Sequence, residues 1–286
     1  MTGVEVVETV EGLRSRLDAE RATGRRVGLV PTMGFLHAGH ASLIDAAAAD
    51  NDVTVVSVFV NPLQFASDED LADYPRDPEA DMEVCWLHGA DLVFAPSVAQ
   101  MYPEPGVPDI EVGDLASSFE GASRPTHFGG VARAVSRLFD IVGTCRTYFG
   151  EKDFQQLAVV RQMVADYNIP VEVVGCPTVR EHDGLALSSR NAYLTAAERR
   201  EAPVLYRALM VGAAAVAGGE TNPDTVSMLM AEMVGSATTG ELDYAAVIDP
   251  DTFEAPPRIA RAGVRLLVAC RFGRARLIDN MAAVPA

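Results

Sequence analysis

Lysine is almost missing from this sequence. Of the 23 basic residues among 286, only Lys152 is a lysine and the other 22 are arginines. Acidic residues number 40, and a formal charge of −17 repels polyanions over most of a surface, which argues against nucleic-acid binding and against docking on anionic membranes. Cysteine is scarce as well. Cys85, Cys145, Cys176 and Cys270 lie far apart without a CxxC pair, so neither a zinc site nor a disulfide framework is expected, and reduced thiols fit a cytoplasmic setting. No long apolar run is present: the least polar stretch, Ala208–Gly219, is too short and glycine-broken to span a bilayer. The N-terminus shows no basic, apolar, cleavable leader. These absences leave a cytoplasmic protein with small-molecule partners, no nucleic acid and no membrane as the expectation.

Core material is plentiful. With 49% hydrophobic and 22% charged residues the chain can bury one large core or two modest ones, and disorder is excluded. Apolar runs at Arg26–Val30, Val53–Val60, Asp91–Ala95, Arg146–Phe149 and Val171–Cys176 alternate with helical patterns at His40–Ala49, Pro78–Gly89, Val131–Val142 and Phe154–Tyr167, after an N-terminal helix. That alternation predicts an α/β fold, a Rossmann-like parallel sheet over residues 1–178, with ligands bound beyond the carboxyl ends of its strands. After Thr178 the order changes to helices at Ala196–Ala217 and Pro223–Met233, then strands at Leu242–Ile248, Val264–Cys270 and Arg274–Ile278, which predicts a small C-terminal α+β domain over 179–286. Pro103, Pro105 and Pro108 mark a loop or lid segment.

Chemistry-bearing residues cluster where these strands end. The first strand runs into PTMGFLHAGH, placing His37 and His40 around Gly39 at a helix start, where free backbone N–H groups and two imidazoles can face one anion. The second ends in FVNPLQF, whose Asn61 and Gln64 offer neutral amides for hydroxyl or carboxyl recognition. RPTHFGGV brings Arg124 and His127 before a Gly-Gly turn. The fourth strand runs into GEKDFQQ, with Gly150 for the turn, Lys152 as a mobile ammonium, Asp153 at the helix start and Gln156 behind it. A lone lysine among arginines marks a place where a guanidinium will not serve. The fifth strand leads to LALSSRN, where Ser188, Ser189 and Arg190 can grip a triphosphate. The residues alone leave three readings open: a ligase, another adenylyltransferase of the same fold, and an ATP-binding module without turnover.

The five segments in this order resemble the pantothenate synthetase (pantoate–β-alanine ligase) family. PTMGFLHAGH is similar to that family's PTMGxLHxGH, FVNPLQF to FVNPxQF, RPTHFGGV to RPxHFxGV, GEKDFQQ to GEKDxQQ and LALSSRN to AMSSRN. The first and last also look like the HIGH and KMSKS-type elements of the wider nucleotidyltransferase group. The resemblance implies a two-step reaction: pantoate and MgATP give pantoyl adenylate and pyrophosphate, and β-alanine then displaces AMP. It implies catalytic roles for His37, His40, Lys152, Ser188, Ser189 and Arg190. It implies an ATP site of Pro31, Met33, Gly39, His40, Gly150, Lys152, Asp153, Val179, Ser188, Ser189 and Arg190, and a pantoate site of Gln64, Gln156, Pro31, Met33, Asn61, Arg124 and His127. A homodimer is implied too. In RDPEADM the sequence carries Ala80 beside Asp81 where the family has two adjacent acidic residues linked to magnesium, so Asp81 is the carboxylate left for Mg2+.

Overall fold

The computed structural model describes residues 3–64, 71, 74–103, 106 and 110–286; Pro105 and Pro108 of the expected lid segment lie outside these. The chain divides into two compact units, Met1–Glu151 with Gln155–Pro177, and Lys152–Phe154 with Thr178–Ala286. Lys152–Phe154, which sequence order puts in the first domain, thus clusters with the second unit.

In the first unit the elements are β1 (Glu5–Val7), α1 (Val10–Arg21), β2 (Val27–Thr32), α2 (Ala38–Asp50), β3 (Val53–Val58), α3 (Pro78–Leu87), β4 (Leu92–Phe94), α4 (Val98–Met101), α5 (Glu120–Ser123), α6 (His127–Val142), β5 (Cys145–Gly150), α7 (Phe154–Asp166) and β6 (Val171–Cys176). The six strands form one parallel sheet in the order β1-β4-β3-β2-β5-β6. Strand side chains alternate between two cores. Val27, Leu29, Val55 and Leu92 pack with Leu13 and Leu17 of α1, Val131 and Leu138 of α6 and Val160 of α7. Val30, Val56 and Val93 turn the other way, onto Leu43, Ile44 and Ala47 of α2 and Cys85 of α3. A parallel sheet needs such cover on both faces, and each fully buried aliphatic side chain contributes roughly 1.5–3 kcal/mol. This is the Rossmann-like architecture. The strand order reverses at β2: β3 and β4 lie on one side, β5 and β6 on the other. Loops leaving β2 and β5 therefore part and open a crevice beyond their carboxyl ends. Pairing of β2 with β5 stops at Leu29, so Pro31, which has no N–H to give, interrupts no bond on that side.

The second unit contains α8 (Ala196–Glu201), α9 (Val204–Ala217), α10 (Pro223–Val234), β7 (Gly240–Ile248), β8 (Val264–Phe272) and β9 (Ala275–Ala283). The strands pair antiparallel in the order β7-β8-β9, and Leu205, Leu209, Val226 and Met230 pack against Leu266, Val268 and Phe272. This is the expected small α+β arrangement.

Three local expectations need correction. β1 is absent from the strand pattern of the sequence because a three-residue edge strand with half-exposed Val6 carries too little signal. The Ala196–Ala217 helix is two helices, since Pro203 has no N–H to continue α8 and stands instead as the N-cap of α9. Gly129 and Gly130 are not a turn: α6 starts at His127 and includes them.

All four cysteines are free and buried. Burial pushes the thiols of Cys85 and Cys145 up to about 12 and that of Cys270 to about 11, which keeps them unreactive. No helix among the described residues is long and apolar enough to cross a membrane.

One carboxylate ties the end of α8 to the start of β7. Glu201, at the end of α8, accepts from the Thr239 N–H, the Thr239 hydroxyl and the Thr238 hydroxyl at 2.7–2.8 Å, just ahead of β7. Hydrogen bonds to its charged form, that of the Thr239 side chain first, hold its pKa down from 4.5 to about 2. A depressed carboxyl stabilises the fold above its unfolded pKa, and that contribution is lost as pH falls through the folded value. The Glu201→Gln protein is therefore expected to have a lower urea midpoint than the parent at neutral pH, and the two midpoints should converge between pH 4.5 and about 2. Parallel curves over that window would show that Glu201 does not set the acid limb.

Candidate active site

The turn after β2 is built to present the two histidines. Gly34 adopts φ +81°, and a Cβ there would meet Asp81 Oδ2 at 2.9 Å and Val58 Cγ1 at 3.1 Å, so only glycine fits. Phe35 follows at φ +53°, a strained conformation for a bulky residue. Two bonds offset that strain: Phe35 N–H donates to Asp81 Oδ2 at 3.0 Å and Leu36 N–H to Asp81 Oδ1 at 2.6 Å. The chain then enters α2 through a cap made of imidazoles. His37 Nδ1 accepts from the Gly39 N–H at 3.1 Å, and His40 Nδ1 accepts from the His37 N–H at 3.3 Å. The rings lie 4.1 Å apart. An Nδ1 that accepts requires the proton on Nε2, so each ring's donor is Nε2–H. The histidines thus close the first turn of α2 through their Nδ1 atoms.

The loop after β3 holds a second group. Asn61 is 1% exposed and engaged on both ends of its amide: Nδ2 donates to Gly130 O at 2.9 Å, while Oδ1 accepts from the Leu63 N–H at 3.1 Å and the Tyr102 hydroxyl at 2.8 Å. Burial pushes Tyr102 up to about 12, which keeps its hydroxyl protonated as a donor. Gly130 is the reason α6 can come this close, because a Cβ there would lie 2.1 Å from Leu63 O. Arg124 Nη2 donates to the main-chain oxygen of Gln64 at 3.3 Å, and the His127 ring stands 3.3 Å from the same oxygen. Asn61, Arg124 and His127, expected at the pantoate, therefore frame the Pro62–Gln64 turn. The Gln64 amide itself is half-buried and has no hydrogen bond to a described residue.

The two glutamines that open α7 divide in the same way. Gln155 is buried and clamps the 115–120 segment, donating to Leu115 O at 2.7 Å and Ser118 O at 2.8 Å and accepting from the Glu120 N–H at 3.0 Å. Gln156 is half-buried, and its amide, too, has no hydrogen bond to a described residue. A Cβ at Gly150, the last residue of β5, would meet no described atom within 4 Å, so the backbone there is approachable. In the first unit, then, Pro31, Met33, Gly39, His37 and His40 belong to the β2 end, and Gln64 to the β3 end.

The second unit carries Lys152 and Arg190. Lys152 is 16% exposed at the side chain and its Nζ lies 3.2 Å from Asp153 Oδ1. Residues 179–187 fold back as a narrow hairpin, in which Leu187 N–H donates to Val179 O at 3.0 Å and Glu181 N–H to Leu185 O at 2.8 Å. The hairpin delivers Ser188 as the cap of a 3-10 turn, Ser189–Tyr193, with its Oγ accepting from the Arg190 N–H at 3.2 Å. Arg190 is exposed. Asn191 Nδ2 donates to Ala186 O at 3.1 Å and ties the turn to the hairpin.

Asp81, the carboxylate expected at magnesium, is engaged elsewhere in this geometry. Among the described residues no group of three or more His, Cys, Asp or Glu side chains is placed to hold an ion. Asp81 is 3% exposed, and each of its oxygens already accepts a main-chain N–H. Mg2+ requires near-octahedral oxygen ligands and keeps several waters, and a sealed carboxylate facing two amides offers no such room. Asp81 does not fit as a metal ligand; its task is to fix the turn before α2. What sequence reasoning missed here is the supporting role of Asp81, Gln155, Tyr102 and Gly130, whose partners lie tens of residues away.

Similarity to known proteins extends over nearly the whole chain. The Pantoate-beta-alanine ligase family matches residues 5–282. The chain is 47% identical over 282 residues to the pantothenate synthetase of Sinorhizobium medicae (strain WSM419), covering 99% of this chain and 97% of that protein. It is 47% identical over 277 residues to that of Geobacillus thermodenitrificans (strain NG80-2), covering 96% and 95%. Among solved structures, the pantothenate synthetase of Thermus thermophilus superposes with a TM-score of 0.93 at 48% identity, covering 99% of this chain and all of that one. The pantoate-beta-alanine ligase of Francisella tularensis, complexed with beta-gamma ATP and beta-alanine, gives a TM-score of 0.80 at 31% identity, covering 98% and 97%.

Proposed function

The chain belongs to the pantoate–β-alanine ligase family, and from this we propose how its own residues divide the work of the reaction. The enzyme condenses pantoate with β-alanine at the expense of ATP, through a pantoyl adenylate, releasing pyrophosphate and AMP. The near full-length identity to pantothenate synthetases selects this among the three readings that the residues alone left open.

In the first step a pantoate carboxylate oxygen attacks the α-phosphorus and the bond to pyrophosphate breaks. A carboxylate is already a nucleophile at neutral pH, so the step needs no general base. It needs an anion brought in line with an anionic triphosphate, which calls for positioning and for donors and charge aimed at the transferring group. His37 and His40 supply Nε2–H donors at the N-terminus of α2, an anion-favouring position. Lys152 and Arg190 supply full charge, and Ser188 and Ser189 neutral donors. Pro31, Met33, Gly39, Gly150, Asp153 and Val179 complete the ATP-contacting set. The observation that carries the pantoate assignment is the contrast within each polar pair: Asn61 and Gln155 are spent on the fold, whereas the Gln64 and Gln156 amides bond to no described residue. In the second step the β-alanine ammonium loses a proton to water, its free amine attacks the acyl carbon, the bond to AMP breaks, and the new amide nitrogen releases a second proton to water.

Magnesium is the ordinary counter-ion of ATP, and the reading keeps it with the phosphates and water, with no step assigned to a protein-held ion. A cytoplasmic homodimer completes the proposal, and sedimentation velocity tests the dimer.

Pantoate-dependent ATP–pyrophosphate exchange tests the pocket. Gln64→Ala and Gln156→Ala should each leave a substrate hydroxyl or carboxylate unpaired, about 1–3 kcal/mol, and the loss should fall on the pantoate KM and leave the ATP KM within about twofold. Weakened ATP with unchanged pantoate would reverse the assignment.

A further inference from the structure

The segment that bears Lys152 is held by β9. Asn280, 4% exposed on that strand, donates from Nδ2 to the main-chain oxygen of Lys152 at 2.9 Å. Its Oδ1 accepts from Arg265 Nε at 2.7 Å, which fixes the amide so that the NH2 end faces Lys152. The same Arg265 lays its guanidinium 4.1 Å from the Phe154 ring centroid, and Phe253 stacks on Phe154 with 5.7 Å between centroids and 23° between planes. One residue earlier on β9, Asp279 is 3% exposed and binds Arg180 with both oxygens, at 2.5 and 2.9 Å. Arg180 belongs to the 179–187 hairpin, donates to Gly184 O at 3.0 Å within it, and lies 4.6 Å from the Tyr206 ring centroid. The two adjacent residues are themselves joined, since the Asn280 N–H donates to Asp279 Oδ1 at 2.7 Å.

We propose that Asp279 and Asn280 are a positioning pair for adenylate formation: Asn280 holds the main chain of Lys152, and Asp279, through Arg180, holds the hairpin that ends in Ser188, Ser189 and Arg190. Both sets of donors then take their places from neighbouring residues of one strand, which its full-length ladder with β8 keeps rigid. A lysine side chain has four rotatable bonds, and fixing its backbone together with the nearby Phe154 ring restricts where the ammonium can reach. Neither residue needs to touch substrate. This inference rests on the assignment of Lys152, Ser188, Ser189 and Arg190 to ATP made above.

A double-mutant cycle on pantoate-dependent exchange tests it. Asn280→Ala should lower kcat about tenfold and leave the pantoate KM within about twofold, and in a Lys152→Ala background the same change should have no further effect. Asn280→Asp, which keeps the volume and the acceptor for Arg265 but loses the donor to Lys152, should behave the same way and covers the case in which the alanine protein does not fold. Asp279→Glu, which keeps the charge and moves it by one methylene, should raise the ATP KM severalfold and leave the pantoate KM unchanged. Equal losses in both backgrounds, or a folded Asn280→Asp protein with parental kcat, would overturn the role of Asn280. An unchanged ATP KM in Asp279→Glu would remove Asp279 from the pair. Parental exchange in Lys152→Ala alone would instead withdraw the underlying assignment of Lys152, a result distinct from an additive cycle.

Discussion

Replacement of Lys152 by alanine is expected to slow adenylate formation by about a hundredfold or more, which corresponds to about 3 kcal/mol of lost transition-state stabilisation. Its ammonium is the only lysine ammonium in the chain and sits on a mostly buried side chain, 16% exposed, where charge acts more strongly than on an open surface. Asp153 Oδ1, 3.2 Å away on a half-exposed side chain, leaves the other two N–H donors of the ammonium for a ligand. Negative charge on the transferring group grows between ground and transition state, so the loss should appear in the rate of single-turnover adenylate formation more than in the KM for either substrate. The thermal midpoint should move little, since no core contact is removed. Lys152→Arg should recover only part of the rate, because a planar, bulkier guanidinium cannot place its charge where a compact ammonium does. An alanine protein with near-parental single-turnover rates would end the assignment.

The amino-acid pattern makes the sheet and the substrate-facing motifs legible for a physical reason: both are local. Runs such as VTVVSV at β3 and the glycine and histidine spacing of the β2 turn depend on residues within a few positions of each other. The frame around them is not local. Asp81 meets Phe35 and Leu36 across 45–46 residues, Asn61 meets Gly130 across 69, and Asn280 meets Lys152 across 128. Such partners leave no periodicity to read. The resemblance puts Asn61, Arg124 and His127 at the substrate, and the fold shows what spacing does not: Asn61 is engaged on both ends of its amide, and Arg124 and His127 stand against the Gln64 main chain. The glycine pair at 129–130 misleads for the opposite reason. Its local signal of a turn is overridden by the close approach of Leu63, which demands glycine inside a helix. The Lys152–Phe154 segment shows the same limit at the scale of domains: chain order puts it with the parallel sheet, whereas its packing partners Phe253, Arg265 and Asn280 come from the far end of the sequence.

Asp81→Asn is expected to destabilise the first unit by about 3 kcal/mol. The amide oxygen can keep one of the two main-chain donors, but its NH2 end then faces the other N–H, in a site only 3% exposed where water cannot substitute. For a unit of this size that loss lowers the thermal midpoint by about 6–12 °C. The consequence reaches the chemistry through the turn: Phe35, at φ +53°, loses part of what offsets its strain, and the cap formed by His37 and His40 begins two residues later. Exchange activity should therefore fall by about tenfold even where the protein is fully folded, in line with the loss expected when donors are misplaced by a fraction of an ångström. The magnesium dependence separates this from a ligand role. If Asp81 is the brace of the turn, the concentration of magnesium giving half-maximal exchange stays the same in Asp81→Asn. It stays the same in Ala80→Glu as well, because residue 80 is exposed and its N–H caps onto Asp77 Oδ1 at 3.1 Å on the outside of α3. A severalfold rise in the magnesium requirement of Asp81→Asn, at an unchanged thermal midpoint, would return Asp81 to the metal and leave the turn to be held by Gly34 and Thr32, whose hydroxyl accepts from the Gly34 N–H at 3.2 Å.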